Sequence, residues 1–248
     1  MLKLVSFAES DIGRVRAVNQ DSFFVDEKRA LFIVADGMGG HAGGEIASQL
    51  CVQEIVKFLD MKLPANEVEK DDSETKEALA LAINRASMLI YERALEDPSL
   101  KGMGTTATVL KVIGKRGYFA HVGDSRLYLH RAGFLYQLTN DHSLVSEQVR
   151  AGVLTEAEAE LHQLRNVITR SVGYQEQEDV DTQSILLEVG DVYLLCSDGL
   201  YGKVTDQEIA KQLSNASDIS VKQLITQANN RGGEDNITAL VLRIDSLP

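Results

Sequence analysis

Leu31-Phe32-Ile33-Val34-Ala35-Asp36-Gly37-Met38-Gly39-Gly40-His41 joins an apolar run to a carboxylate and then to a turn rich in glycine. Residues 30–35 are nearly all apolar, which predicts a short strand buried on both faces rather than one with a wet side. A carboxylate at the end of such a strand is costly unless something cationic meets it. The same punctuation returns later, where Val192-Tyr193-Leu194-Leu195-Cys196-Ser197 runs into Asp198-Gly199. Any one Asp-Gly pair can be an ordinary turn; two of them closing buried strands ask for a common cause.

Working outward, residues 2–8 and 22–26 read as strands that precede the first run. After the glycine turn, Ile46, Leu50, Ile55 and Leu59 recur at helical spacing. Residues 64–75 are polar and acidic, an expected exposed connector. A second helix is predicted over 74–95, with Leu79, Ala82, Ile83, Ala86, Leu89 and Ile90 on one face, and Pro98 closes that region. From 105 to 138 the pattern turns to period two, broken by Gly114, Gly117, Gly123 and Gly133, which fits three or four antiparallel strands. Short charged helices are expected over 143–163, interrupted at Gly152. Strands follow at 181–189 and 192–196 about Gly190-Asp191, then small helices near 206–213 and 220–230, and a last strand over 237–244. Mostly antiparallel strands with paired helices predict an α+β fold with helix-covered sheets, not alternating βαβ units.

The chain has 248 residues and a net charge of −12, with 37 acidic against 25 basic side chains. A chain of this length buries roughly 70–75% of its unfolded surface, so it needs no disulfide to fold. The negative balance argues against nucleic acid and against an anionic membrane surface. No run approaches 18 apolar residues, and the N-terminal apolar stretch meets Glu9 and Asp11 almost at once, so neither a span nor a cleavable leader is expected. Cys51 and Cys196 sit in apolar surroundings without zinc-like spacing, as reduced cytosolic thiols do.

Five aspartates fall where a solvated surface would not put them. Asp36 and Asp198 end apolar strands; Asp124 stands in Gly123-Asp124-Ser125-Arg126; Asp235 precedes Asn236 and the last strand; Asp21 closes Arg16-Ala17-Val18-Asn19-Gln20-Asp21. Carboxylates that converge repel one another unless divalent metal neutralises them, and hard oxygen ligands select magnesium, manganese or calcium. The glycine after each strand-end aspartate lets a backbone carbonyl approach an ion. Arg16 offers a bidentate fork suited to phosphate.

Taken in order, several motifs together resemble the bacterial type 2C, metal-dependent serine/threonine protein phosphatases. They are residues 16–21, 35–41, Gly104-Thr105-Thr106, 122–126, Thr139-Asn140-Asp141-His142-Ser143, Ile168-Thr169-Arg170-Ser171-Val172-Gly173, 196–200 and Glu234-Asp235-Asn236-Ile237-Thr238. The resemblance extends from Asp11 to Ile244. It implies one phosphatase domain over 1–248, a four-layer α-β-β-α sandwich of two antiparallel sheets, with a flap at about 144–165. It further implies that Asp36 bridges two manganese or magnesium ions, with Gly37 lending its carbonyl. Asp198 and Asp235 would complete the first shell, Asp21 would act through water, and a weaker third ion would sit at Asp124 with Asp198. Arg16 would hold the phosphate while a metal-bridging hydroxide attacks phosphorus in line.

The general acid is less defined. His41 is the candidate, although animal relatives place a histidine where this chain has Met38, so water is the alternative; His142 is expected to fix a loop. The implied partners are phosphorylated proteins, foremost a serine/threonine kinase of the same bacterium and its targets, and the expected state is a cytoplasmic monomer. A small-phosphoester phosphatase of the same fold and a non-catalytic binding module are the alternatives. Asp179-Val180-Asp181-Thr182 only partly matches the dehalogenase-type signature and follows polar residues. No Gly-Lys-Ser/Thr is present for a nucleotide loop.

Overall fold

A computed structural model of the chain describes residues 2–39, 43–64 and 71–248. Among these residues, eleven strands form two sheets. The first has the order β1 (Lys3–Asp11), β11 (Ile237–Ser246), β10 (Val192–Cys196), β7 (Arg126–Arg131), β8 (Phe134–Gln137). The second runs β2 (Asp21–Asp26), β3 (Leu31–Met38), β5 (Ala107–Ile113), β6 (Arg116–Val122), β9 (Asp181–Leu186), with the two-residue β4 (Gly104–Thr105) beside β3. Every named strand pair is antiparallel.

Side-chain alternation along these strands builds three apolar layers. On β3, Leu31, Ile33 and Ala35 pack with Ile55, Leu59, Ile83 and Ile90 of the helices α1 (Gly43–Lys62) and α2 (Asp72–Glu96). Phe32 and Val34 face the other way, joining Leu127, Tyr193, Leu195, Leu240 and Leu242 between the sheets. On β10, Leu194 and Cys196 meet Leu213, Val221 and Leu224 of α6 (Asp206–Leu213) and α7 (Asp218–Asn230). The architecture is therefore the expected α-β-β-α sandwich. Burial on both faces is why residues 30–35 and 192–196 carry no polar alternation.

Several boundaries differ from the sequence pattern. The connector expected over 64–75 ends sooner: α2 begins at Asp72, Asp71 Oδ1 caps it by accepting from Ser73 N at 2.7 Å, and Thr75 is fully buried with its hydroxyl on the Asp71 carbonyl. A carboxylate cap supplies the helix start that a polar composition hides. The strand expected over 181–189 stops at Leu186. The first strand continues to Asp11 because β11 supplies a partner as far as Ile237. The antiparallel strands expected between 105 and 138 divide between the sheets: β5 and β6 belong to the second, β7 and β8 to the first. The chain changes sheets at Gly123, whose φ of +108° and contact with Thr106 exclude a side chain. Within 143–163 lie α3 (Leu144–Arg150) and α4 (Glu156–Glu160), separated by a turn at Gly152. No helix among the described residues is long and apolar enough to cross a membrane.

Candidate active site

Antiparallel pairing puts strand starts beside strand ends, and the five aspartates follow from it. β2 opens at Asp21, directly across from Asp36 near the end of β3. β10 ends at Cys196, opposite Arg126 at the start of β7 and Ala239 near the start of β11. Asp198, Asp124 and Asp235 flank those three strands, so all five gather at one end of the sandwich. Asp198 also opens the short helix α5 (Asp198–Tyr201).

Each carboxylate is held by its own local device. The backbone of Asp36 is clamped from both sides: its N–H donates to Thr106 Oγ1 at 2.9 Å, while its carbonyl accepts from Thr106 N and Thr105 Oγ1, each at 2.9 Å. Asp21 Oδ2 accepts from Ser197 Oγ at 2.7 Å and Thr238 Oγ1 at 2.6 Å, tying the second sheet to the first. The loop carrying Asp124 is gripped by His142, whose Nδ1 accepts from Gly123 N at 3.1 Å and whose backbone N–H donates to the Gly123 carbonyl. Tyr201 donates its hydroxyl to the Asp124 carbonyl at 3.0 Å, and its ring lies under the Arg126 guanidinium, which Asp141 holds bidentately. Gly37 passes so close to Gly44 and Gln20 that a Cβ would sit 2.1 Å from the Gly44 carbonyl oxygen, so no other residue fits there.

The electrostatics of this end are those of uncompensated negative charge. Burial first, then Asp21, Asp198, Asp124 and Asp235, push the Asp36 carboxyl well above the carboxylate range. Burial and then Asp124 raise Asp198; burial and then Asp141 raise Asp124; burial, with Asp235 adding to it, raises Asp21. Asp21 Oδ1 and Asp198 Oδ1 are buried and accept no hydrogen bond. Among the described residues, no three His, Cys, Asp or Glu side chains are drawn together as a ready-made ion cage. The two orphaned oxygens nonetheless sit within one hard-oxygen set, the donor chemistry that magnesium and manganese take. Arg16, half exposed, meets the group through Asp235 Oδ2 at 2.7 Å.

The structure thus brings Asp21, Asp36, Gly37, Asp124, Asp198, Asp235 and Arg16 to one end of the sheets. His41 lies outside the described residues. His142 is buried, with Nε2 facing Asp181 at 3.3 Å and Nδ1 already engaged, so it braces the Asp124 loop instead of facing the cleft. The residues that sequence reasoning left without a role are the braces: Thr106, Ser197, Thr238 and Asn236. Thr238 carried a signal, since it is the one polar residue in Ile237-Thr238-Ala239-Leu240-Val241-Leu242, a run otherwise fit for a buried strand.

A double antiparallel sandwich with a carboxylate cluster and one arginine at the strand ends defines a class of metal-dependent hydrolase scaffolds. A sequence profile described as Protein phosphatase 2C matches residues 13–240, and the chain belongs to that family. It is 37% identical over 242 residues to a protein of Streptococcus pneumoniae named Protein phosphatase PhpP, covering 95% of this chain and 96% of that one. It is also 37% identical over 244 residues to a Listeria monocytogenes protein named Serine/threonine phosphatase stp, covering 95% and 94% respectively. Among solved structures, the Mycobacterium tuberculosis serine/threonine phosphatase PstP/Ppp superposes with a TM-score of 0.89 at 35% identity, over 99% of this chain and 100% of that one. A catalytic domain of PstP in complex with two manganese ions gives 0.87 at 36% identity, again over 99% and 100%.

Proposed function

We propose that this protein is a metal-dependent phosphatase that hydrolyses phosphoserine and phosphothreonine in proteins. One observation carries it: two buried carboxylate oxygens without partners, on Asp21 and Asp198, in a cluster met at its exposed edge by Arg16. Asp36, the Gly37 carbonyl, Asp198 and Asp235 would hold two manganese or magnesium ions. Asp21 would act through water, and Asp124 beside Asp198 would hold a third, weaker ion. When bound, such a pair activates a water as nucleophile and offsets charge on the attacking and leaving oxygens.

The chain's own residues do the rest by position. Arg16 presents a planar fork to the phosphoryl oxygens and its charge favours the dianion. Thr105 and Thr106 fix Asp36, and Ser197 with Thr238 hold one oxygen of Asp21, which fixes where the other oxygen points. Such fixed geometry supplies most of the rate in phosphoryl transfer, where little covalent work falls to the protein. A proton for the leaving alkoxide comes from His41 or from water. The whole chain acts as one phosphatase domain, with α3 and α4 as the flap beside the cleft, and its partners are phosphorylated proteins, first among them a serine/threonine kinase and its targets. It works in the cytoplasm as a monomer.

The test is hydrolysis of a phosphothreonine peptide and of p-nitrophenyl phosphate by purified protein with manganese. Turnover of the peptide, lost on chelation, is expected. Hydrolysis of the small ester alone would favour a small-phosphoester enzyme, and no hydrolysis of either would favour a binding module.

A further inference from the structure

Residues 12–20, which carry Arg16, form the link between β1 and β2, and their position is not set by apolar packing. Ile12, Val15 and Val18 are all exposed, Val15 at 68%. The link is instead stitched to the far end of the sequence, and one buried side chain makes several of the stitches. Asn236 Nδ2 donates to the Ile12 carbonyl at 2.9 Å and to the Val18 carbonyl at 3.1 Å, while its Oδ1 accepts from Gln20 N at 2.8 Å. The amide therefore grips the link before and after Arg16 with nearly all of its hydrogen-bonding capacity. Other ties reach single points of the link: Arg14 N donates to the Gly233 carbonyl, Gly13 N to Asp11 Oδ1, Asn19 Nδ2 to Ser10 Oγ, and the Gln20 carbonyl accepts from Gly37 N and Ser48 Oγ. The link approaches residue 235 so closely that a Cβ on Gly13 would lie 2.2 Å from the Asp235 carbonyl oxygen.

The Arg16 side chain itself is held by Asp235, to which Nη2 donates. A guanidinium that has to meet a phosphoryl group cannot be aimed by that ion pair alone, so its aim comes from the backbone beneath it. We propose that Asn236 is the positioning residue of the phosphate site: its amide holds both flanks of the 12–20 link and so sets where Arg16 meets the phosphoryl group. Asn236 and Asp235 are adjacent, and the Asn236 N–H donates to Asp235 Oδ1 at 2.8 Å. One dipeptide thus registers the arginine against the carboxylate cluster.

This rests on the phosphatase function proposed above, and the experiment separates the two. Amide hydrogen exchange on metal-free Asn236→Ala and Asn236→Asp should show faster exchange across residues 12–20 with β10 and β7 still protected; the aspartate keeps the shape and loses both donors. Kinetics on the manganese-loaded enzyme should show KM for phosphopeptide raised roughly tenfold or more, with kcat changed less than about threefold and the manganese titration midpoint kept. Arg16→Ala combined with Asn236→Ala should be no worse in KM than Arg16→Ala alone, because both act through one group. Unchanged exchange over 12–20 in both variants, or KM effects that multiply in the double variant, would overturn the proposal. A wild-type protein without activity would sink the phosphatase function and leave the exchange result standing on its own.

Discussion

Strand β10 has an aspartate at each end, and the two are treated in opposite ways. Asp191, before its first residue, is 1% exposed and fully compensated: Arg131 donates from Nε at 2.7 Å and from a terminal nitrogen at 2.6 Å, and Glu188 N and Tyr193 Oη add 2.8 and 3.3 Å bonds. Asp198, past its last residue, has a buried oxygen with no partner and Asp124 as its chief charged neighbour. Asp191 is the more deeply buried of the two, so burial alone does not mark a working carboxylate. What marks it is burial that the protein leaves uncompensated, since a structural aspartate is retained only with its cation and donors in place.

Substitution should split the two ends. Asp36→Ala or Asp198→Ala is expected to cut manganese-dependent turnover by at least about 10³-fold, some 4 kcal/mol of barrier. The melting temperature should hold or rise, because a repelling group has gone. Activity near wild type, or a collapse of the fold, would break the contrast. Asp191→Ala should do the reverse: lose about 3 kcal/mol of stability in urea unfolding, since Arg131 and Tyr193 lose their partner, yet keep its kcat below the melt.

Metal should sharpen the contrast further. At manganese near a hundredfold over its dissociation constant, thermal melts should rise by an amount equivalent to about 2.7 kcal/mol. Asp191→Ala should show the same increment and Asp198→Ala little of it; equal gains in both would place the ion elsewhere.

Near neutral pH the smallest effect is the intolerance of the functional end for an unpaired charge of either sign, since it grows only as acid is added. Burial, with His142 beside it, holds the His121 imidazole down at about 3. Unfolded, it titrates near 6.5, so between those values the unfolded chain binds a proton that the native one refuses. Stability should therefore fall as pH drops from about 6.5 toward 3, by at most about 1.4 kcal/mol per unit from this residue. His121→Gln should flatten that part of a urea-versus-pH series, and an unaltered slope would remove His121 from the account.

Much of the site is legible in sequence because its chemistry is local. Asp36-Gly37 and Asp198-Gly199 each end a run whose apolar faces leave no place for a charge, and that contradiction is visible without coordinates. The braces are less legible because hydroxyls and amides in strand ends serve ordinary structure just as often. Asn236 beside Asp235 reads as a turn residue until its amide is seen to reach Ile12, Val18 and Gln20, more than two hundred positions away. The helix starts at Asp72 and Asp218 were obscured by polar flanks that a side-chain cap turns into helix.

By itself the sequence determined most of the elements, the burial of β3 and β10 on both faces, and the five aspartates out of place on a solvated surface. Those properties depend on residue type and on periods of two or 3.6, which neighbours along the chain fix. Tertiary structure alone decided that β6 and β7, adjacent in sequence, part at Gly123 into different sheets, and that Asp21 meets Ser197 and Thr238. It also decided which buried aspartate finds an arginine and which does not. Those outcomes depend on which strand ends antiparallel pairing sets side by side, a long-range choice that local periodicity does not encode.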